Sequence, residues 1–172
     1  NAGVLTAGPF ADIHPDDHDS MIDVNVRGFT HVAQLAFPYL RATPQACLVN
    51  LCSASSIHGI PNLAVYSATK FYVNAITQAL HVEWAPHGIR VTCVKPGLVN
   101  TPMAEEVTRH STRGQVIDLT PEDIAAAIER AAHGNRISYV VGRGISLWAL
   151  LDKLLPERFR MRLADRLTRG NS

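Results

Sequence analysis

Three short apolar runs, separated by segments with helical periodicity, constrain the fold of this chain more than any other feature. The runs are ACLVNLC at 46–52, IRVTCV at 89–94 and ISYVV at 137–141. Each has the length of a strand and lacks a regular polar alternation, as strands covered on both faces do. Alternating helices and strands with short links favour parallel pairing. The chain is therefore predicted to form an α/β fold, a parallel sheet with helices on both faces.

The segments between these runs carry helical patterns. Apolar residues recur at spacings of four and three after Pro15, which predicts a helix over 16–41. A second helix is predicted over 65–85. The apolar face of the first helix comprises Ile22, Val26, Phe29, Ala33, Ala36 and Leu40, and that of the second comprises Ala68, Tyr72, Ala75, Ala79 and Val82.

The last third of the chain contains one well-capped helix and an amphipathic tail. Thr120 is a favourable N-cap, Pro121 suits the first helical position, and Gly134 suits the position past the end. The tail over 145–167 is rich in leucine and arginine, and Pro156 divides it. We expect a closing helix pair packed on the domain. A lid over a substrate site and a helix lying on a membrane surface are the alternatives.

Charge and cysteine content narrow the function classes. Sixteen Lys+Arg against fifteen Asp+Glu give a formal net charge of +1, so the whole chain has no strong attraction to nucleic acid. Three cysteines without CxxC spacing favour reduced thiols in a cytoplasmic protein. No apolar run of about 18 residues and no basic leader occurs, so neither a membrane span nor a signal peptide is predicted. The C-terminal end is locally basic, with Arg136, Arg143, Lys153, Arg158, Arg160, Arg162, Arg166 and Arg169 against Asp152, Glu157 and Asp165.

The stretch YSATK at 66–70 places a phenol and an ammonium four positions apart. On a helix, such positions face the same way with Cβ atoms about 6 Å apart. A cation about 4 Å away, at an effective dielectric constant near 20, contributes about 4 kcal/mol, which would bring a phenol pKa from about 10 to about 7. Lys70 is therefore expected to lower the pKa of Tyr66, and Tyr66 to act as a general acid and base. A half-exposed tyrosine beside a solvated lysine is the alternative.

Ser53 follows the first apolar run directly, at the end of the strand where open α/β sheets bind their ligands. Tyr66 begins the next helix, thirteen residues later. The two hydroxyls are therefore predicted to converge on one substrate oxygen. The alternative for Ser53 is a loop hydroxyl that satisfies nearby backbone groups.

Five motifs occur in an order that resembles the short-chain dehydrogenase/reductase family. They are NAG at 1–3, VNVRG at 24–28, VNLCS at 49–53, YSATK at 66–70 and KPGLVNT at 95–101. The resemblance covers the chain to about residue 144 and implies a Rossmann-like, doubly wound parallel sheet, of which only the second half is present. It divides the chain into the C-terminal part of the Rossmann domain (1–144) and amphipathic, basic C-terminal helices (145–172).

The resemblance implies a role for each matching residue. Tyr66 would be the acid and base, Ser53 would hold the carbonyl oxygen, and Lys70 would lower the Tyr66 pKa and grip the nicotinamide ribose. Asn25 would anchor a water that links Lys70 to solvent. The cofactor, NAD or NADP, would supply the hydride. Its nicotinamide would be bordered by Pro96, Gly97, Val99 and Thr101, and its adenosine side by Asn1, Ala2 and Gly3.

The implied activity is hydride transfer between a nicotinamide and a ketone or secondary alcohol, by a homodimer or homotetramer. No glycine-rich turn for the cofactor pyrophosphate is found, so we expect the C-terminal portion of a longer enzyme. The alternative is a catalytically silent fragment or association partner that cannot bind cofactor alone. No nucleic-acid partner is expected, and membrane contact would involve only the C-terminal tail.

Two further features have simpler interpretations. HPDDHD at 14–19 combines two histidines with three aspartates, but acidic residues at a helix start complement the helix dipole, and no metal is expected. His58, in the loop between Ser53 and Tyr66, is expected to form a wall of the substrate pocket rather than to act as a catalyst.

Overall fold

The computed structural model describes residues 1–110 and 117–168 of the chain. Its elements are α1 (Pro15–Ile22), a π-helical turn (Asp23–Gly28), α2 (Phe29–Ala42), β1 (Cys47–Leu51), a 3-10 turn (Ala54–Ser56), α3 (Ala64–Glu83), a second 3-10 turn (Ala85–His87), β2 (Arg90–Pro96), α4 (Pro102–Arg109), α5 (Pro121–His133), β3 (Ser138–Val141), α6 (Ile145–Leu154) and α7 (Glu157–Thr168).

The three predicted strands form one parallel sheet in the order β1-β2-β3. Neighbouring residues of the central strand point to opposite faces, because side chains alternate along a strand. Cys93 packs in a cluster with Val73 of α3 on one face, whereas Val94 packs against Ala127 and Ala131 of α5 on the other. The sheet is therefore covered on both faces, which confirms the predicted α/β architecture.

The predicted capping of α5 is present. The Thr120 hydroxyl accepts a hydrogen bond from the Asp123 backbone, and the Asp123 carboxylate accepts one from the Thr120 backbone. This reciprocal box satisfies two amides that a helix start otherwise leaves unpaired. At the other end, a side chain on Gly134 would run into the hydroxyl of Tyr139 and lie 2.9 Å from the Arg130 carbonyl. Close packing, not only helix termination, requires glycine there.

The helix predicted over 16–41 contains a π-helical turn, and this changes the face that it buries. Met21, Asn25 and Ala33 are buried, whereas Ile22 is 42% exposed. A π-helical turn holds more residues than an α-helical turn, so it shifts the phase of the residues on either side. The predicted placement of Ile22 on the buried face is therefore wrong.

The apolar face predicted for α3 is the outer one. Ala68, Ala75 and Ala79 are exposed, and Val82 is 70% exposed. The buried positions include Tyr66, Lys70, Val73 and Thr77. Their polar groups find partners inside the core: the Thr77 hydroxyl accepts a hydrogen bond from Asn50, and Lys70 donates to a carbonyl of β1. Small apolar residues on the outside therefore mark a second surface rather than the core.

The C-terminal helices separate at Pro156, as the sequence predicts. Ile145, at the start of α6, packs over Gly97 and Gly142, where its side chain fills the space that a Cβ would need. Asp152 of α6 is buried and forms an ion pair with Arg160 of α7 at 3.1 Å. Among the residues described, no helix combines the length and apolar character needed to cross a bilayer.

Candidate active site

Ser53 and Tyr66 meet at the carboxyl end of β1. Ser53 caps the 3-10 turn that follows this strand, and its hydroxyl oxygen accepts a hydrogen bond from the Ser55 backbone at 3.2 Å. Tyr66 lies in the first turn of α3, which brings the phenol back to the same end of the sheet. The Ser53 hydroxyl acts to lower the pKa of Tyr66.

The phenol of Tyr66 is held in its neutral form. Burial is the largest influence and raises the pKa of Tyr66 to about 12, against the opposing influence of the Ser53 hydroxyl. The side chain is only 9% exposed. The expected fall in this pKa is therefore wrong. The spacing of Tyr66 and Lys70 predicted a cation near the phenol oxygen. In the structure the Lys70 Nζ lies over the ring, 5.6 Å from its centroid.

Lys70 is a buried cation beside β1. It is 8% exposed, and burial lowers its pKa. Its Nζ donates a hydrogen bond to the Leu51 carbonyl at 3.3 Å. An ammonium carries three donors, and this is the one acceptor that it meets among the described residues. Its backbone carbonyl accepts a hydrogen bond from the Cys52 thiol at 3.2 Å, so the strand end and the helix are tied together at this point.

Asn25 holds the first residues of the chain against the helix that carries Tyr66 and Lys70. Its Oδ1 accepts from the Val4 amide at 2.9 Å, and its Nδ2 donates to the Val4 carbonyl at 2.8 Å and to the Thr69 hydroxyl at 3.2 Å. A Cβ on Gly3 would lie 3.3 Å from the Asn25 Oδ1 and 3.7 Å from the Lys70 Nζ. Asn25 and Lys70 thus lie on either side of Gly3, and a water between them stays a prediction.

A cavity of about 610 Å³ opens at this end of the sheet. The Ser53, Tyr66 and Lys70 side chains border it. Most of the residues that the sequence assigns to cofactor binding also border it, namely Asn1, Gly3, Pro96, Gly97, Val99 and Thr101. Ala2 and Asn25 are outside this lining. The sequence motifs therefore converge on one cavity although they lie up to a hundred positions apart.

Much of the remaining cavity wall is apolar and was missed by the sequence argument. It includes Leu5, Ile60, Leu63, Met103, Val107, Ile124 and Ile128. For two of these residues the sequence contains a pattern that could have revealed them. Met103 and Val107 are four positions apart after Pro102, which is typical of one face of a short helix. The segment that contains them forms α4, and residues 111–116, which follow this helix, lie outside the described residues.

His58 faces the C-terminal helices rather than the cavity. Ile60, from the same loop, lines the cavity, and His58 does not. Burial lowers the pKa of His58, Asp152 raises it and Arg160 lowers it. Its expected position as a pocket wall is therefore wrong, because the loop turns this side chain toward α6 and α7.

The HPDDHD stretch forms the start of α1. His14 is the N-cap and its ring accepts a hydrogen bond from the Asp16 amide, while Asp16 and Asp17 occupy the first turn. Across residues 1–110 and 117–168, no three His, Cys, Asp or Glu side chains are grouped to hold a metal ion.

Comparison with known protein families matches residues 1–112 to the short chain dehydrogenase family. An uncharacterized oxidoreductase of Staphylococcus epidermidis is 41% identical over 105 residues, which are 61% of this chain and 46% of the relative. An uncharacterized oxidoreductase of Staphylococcus aureus is 35% identical over 128 residues, 74% of this chain and 54% of the relative. The chain spans about half the length of the curated relatives that it matches.

Solved structures share the fold. A short chain dehydrogenase from Burkholderia cenocepacia in complex with NADP superposes with a TM-score of 0.82 at 23% identity, over 98% of this chain and 69% of that one. A 3-ketoacyl-(acyl-carrier-protein) reductase from Brucella melitensis complexed with NADH gives a TM-score of 0.71 at 27% identity, over 85% of this chain and 65% of that one. The three-stranded parallel sheet and its helices therefore have the Rossmann-like arrangement of these enzymes.

Proposed function

This chain belongs to the short-chain dehydrogenase family, and on that premise we propose that it carries the catalytic residues of an NAD- or NADP-dependent oxidoreductase. The proposed reaction transfers a hydride between the nicotinamide and a ketone or secondary alcohol. The observation that carries the proposal is that Ser53, Tyr66 and Lys70 border one cavity at the carboxyl ends of β1 and β2, where open α/β sheets bind ligands. Related structures bound to NADP or NADH support the class of cofactor.

The residues present fit the nicotinamide end of such a cofactor. The buried Lys70 ammonium has donors left for hydroxyl groups, beyond its bond to the Leu51 carbonyl. The segment from Pro96 to Thr101 and the backbone at Gly3 border the same space. We propose that Lys70 holds the ribose next to the nicotinamide and that 96–101 borders the ring. When bound, the nicotinamide supplies or accepts the hydride.

Tyr66 carries the proton that reduction of a carbonyl compound requires. With a pKa of about 12, the phenol is neutral near pH 7 and is ready to give its proton to the oxygen of a carbonyl compound as that oxygen becomes an alkoxide. Ser53 donates a hydrogen bond to the same oxygen and orients it. Burial disfavours the phenolate that this transfer leaves, so the transfer needs a second group that stabilises the phenolate.

Lys70 would act on the phenolate that remains after this transfer. Its Nζ lies over the aromatic ring, across which a phenolate spreads its negative charge, so the attraction grows as the proton leaves. Asn25 is proposed as a positioning residue, because its bonds to Val4 and Thr69 hold Gly3 beside the Lys70 ammonium. The water that the family resemblance places at Asn25 would return protons to Tyr66 through Lys70.

The decisive experiment replaces Tyr66 by Phe in the full-length protein. We expect the rate of ketone reduction to fall by roughly a hundredfold or more, since a general acid is lost. Binding of the reduced cofactor, measured by nicotinamide fluorescence, should stay within about a factor of three. Tyr39→Phe is the matched control, because Tyr39 is 76% exposed on α2. Turnover that survives in Tyr66→Phe would remove the proton-transfer role.

A second candidate function is association without catalysis. The exposed apolar residues on the outer faces of α2 and α3 support it. Val32, Leu35 and Tyr39 on α2 and Phe71 and Val82 on α3 are exposed by 40% or more. Apolar surface of this kind marks interaction sites, so we propose that these faces form a homodimer or homotetramer. Saturable binding of reduced nicotinamide cofactor separates an enzyme subunit from a silent partner.

We also propose a division of the chain into two parts and a cellular location. Residues 1–144 would form the catalytic part of the Rossmann domain, and 145–172 would form the basic C-terminal helices, of which 169–172 lie outside the described residues. Cys47, Cys52 and Cys93 are free thiols, which supports a reducing, cytoplasmic location. Mass spectrometry after thiol alkylation of the protein in cell extract tests the last point, because pre-existing disulfides would contradict it.

A further inference from the structure

Helix α6 turns three of its four leucines toward solvent and its carboxylate toward the protein. Leu147, Leu150 and Leu154 are 61%, 54% and 71% exposed, whereas Asp152 is 8% exposed. The three leucines follow spacings of three and four and therefore form one stripe along the helix. This arrangement is the reverse of a helix that closes an apolar core, in which leucines face inward and carboxylates outward.

The orientation of α6 is fixed at both ends. Ile145 packs into the space over Gly97 and Gly142 at its start. Near its end, Asp152 pairs with Arg160 of α7 at 3.1 Å. The Asp152 Oδ1 and the Arg160 Nε are buried and meet no hydrogen-bond partner among the described residues. These two contacts set which face of α6 meets the protein and which face meets solvent.

Helix α7 extends this surface and adds positive charge. Phe159 and Met161 are each 44% exposed. Arg158 and Arg162 are exposed on either side of them, and the Arg158 guanidinium lies 5.0 Å from the centre of the Phe159 ring. Exposed apolar side chains flanked by arginines are the pattern of helices that lie in the interface of a membrane. The locally basic composition of the C-terminal end supplies charge complementarity to anionic headgroups.

We propose that the C-terminal apolar surface, formed by Leu147, Leu150, Leu154, Phe159 and Met161, docks on a membrane that carries anionic lipids. The apolar side chains would enter the boundary between headgroups and acyl chains, and Arg158 and Arg162 would meet the headgroup phosphates. The contact is peripheral, since α6 and α7 are too short to cross a bilayer. The inference does not depend on the reaction proposed above.

Vesicle flotation of the full-length protein tests the proposal. We expect the protein to float with phosphatidylcholine vesicles that contain phosphatidylglycerol, to float poorly with phosphatidylcholine alone, and to be released by high salt. Leu154→Glu should reduce binding at least tenfold. Phe10→Glu is the matched control, because Phe10 lies outside both the C-terminal helices and the proposed association faces and is 62% exposed, against 71% for Leu154; it should bind like the parent protein.

Two double variants test how much Arg158 and Arg162 contribute to vesicle binding. Neutralising Arg158 and Arg162 together to Gln should weaken binding to anionic vesicles roughly thirtyfold, at about 1 kcal/mol for each basic residue. Arg41→Gln with Arg130→Gln changes the net charge equally at exposed sites on other helices and should have little effect. A loss of equal size in both pairs would mean that net charge alone drives binding and would overturn the docking surface.

Two other results would also overturn the proposal. One is no flotation of the parent protein with anionic vesicles, which would leave an acidic protein partner as the occupant. The other is a smaller particle mass for Leu154→Glu in light scattering without vesicles, which would assign the surface to a second copy of this chain. Circular dichroism and thermal unfolding of each variant show that it is folded.

Discussion

The Lys70 ammonium lies over the aromatic ring of Tyr66, 5.6 Å from its centroid, and donates a hydrogen bond to the Leu51 carbonyl. The positive charge therefore faces the π-system of the phenol rather than its hydroxyl. We propose that its attraction to the ring grows as the phenolate forms. This placement also keeps the ammonium in a site whose burial lowers its pKa.

Lys70→Met should separate catalysis from stability. Removing a buried cation abolishes its desolvation penalty, so we expect the free energy of unfolding in urea to stay equal or rise by about 1 kcal/mol. The rate of ketone reduction should fall at least tenfold, and the KM for the cofactor should rise, since the proposed ribose contact is lost. Lys70→Arg keeps the charge but not the shape of the donor and should recover only part of the activity. A catalytically normal Lys70→Met would contradict the role assigned to the ammonium.

Titration of Tyr66 should appear at high pH. The pKa of about 12 in the folded protein lies above the value of 10.0 expected for a free phenol, because burial disfavours the phenolate. Below pH 10 both the folded and the unfolded chain hold the proton, and Tyr66 makes no difference to stability. Between pH 10 and 12 the unfolded chain releases the proton first, so the free energy of unfolding falls, by about 3 kcal/mol in total.

Tyr66→Phe is the reference for this measurement, because it cannot ionise at that position. The difference in unfolding free energy between the parent protein and Tyr66→Phe should be constant below pH 10 and decline above it. Ultraviolet difference absorbance of tyrosinate, compared between the two proteins, reports the same group directly. A phenol that titrates near neutral pH would show that the burial argument is wrong.

Asn25→Ala should loosen the first residues of the chain. It leaves the half-buried Val4 amide and carbonyl without their side-chain partners, and we expect the two losses together to destabilise the fold by about 2 kcal/mol. Asn74→Ala is a suitable comparison, since the Asn74 side chain forms only an exposed contact with Gln78, and it should change stability by less than about 0.5 kcal/mol. Denaturant unfolding gives both values. Equal effects in the two variants would show that Asn25 does not hold Val4.

Gly134→Ala should be strongly destabilising although it lies just past the end of a helix. The added methyl group would collide with the Tyr139 ring and the Arg130 carbonyl, so the backbone has to move, at a cost of about 2 kcal/mol. A Cβ on Gly59 would meet nothing within 4 Å. Gly59→Ala is therefore the control, and thermal unfolding is expected to separate the two clearly. If both melt alike, the close approach at Gly134 is not real.

The sequence predicted those features that depend on interactions between residues close together in the chain. The Thr120 and Pro121 helix start was predictable because a cap depends on residues three positions away. The buried face of α3 was not, because Thr77 and Lys70 look like surface residues until their partners Asn50 and Leu51 arrive from β1. The Tyr66 pKa depends on burial by residues distant in sequence, which neither spacing nor charge reports.

The residues that border the cavity also divide into those that the sequence predicted and those that it did not. Ser53, Tyr66 and Lys70 were found because they belong to compact motifs, whereas Leu63 and Ile124 line the same space without any motif. Apolar residues in a helix look alike whether they face a core or a cavity. Family resemblance therefore located the polar end of the site, and only the fold located its walls.

The Asn25 side chain imitates a neighbouring strand, since it pairs with both the amide and the carbonyl of Val4. Such mimicry needs one donor and one acceptor on the same group, which a carboxamide has and a carboxylate lacks. Deamidation, a slow hydrolysis that occurs as proteins age, would place an anionic oxygen where the Nδ2 now lies, 2.8 Å from the Val4 carbonyl. In stored protein, the aspartate form detected by mass spectrometry should accompany faster proteolysis around Val4, because the segment has lost one of the two bonds that hold it to Asn25.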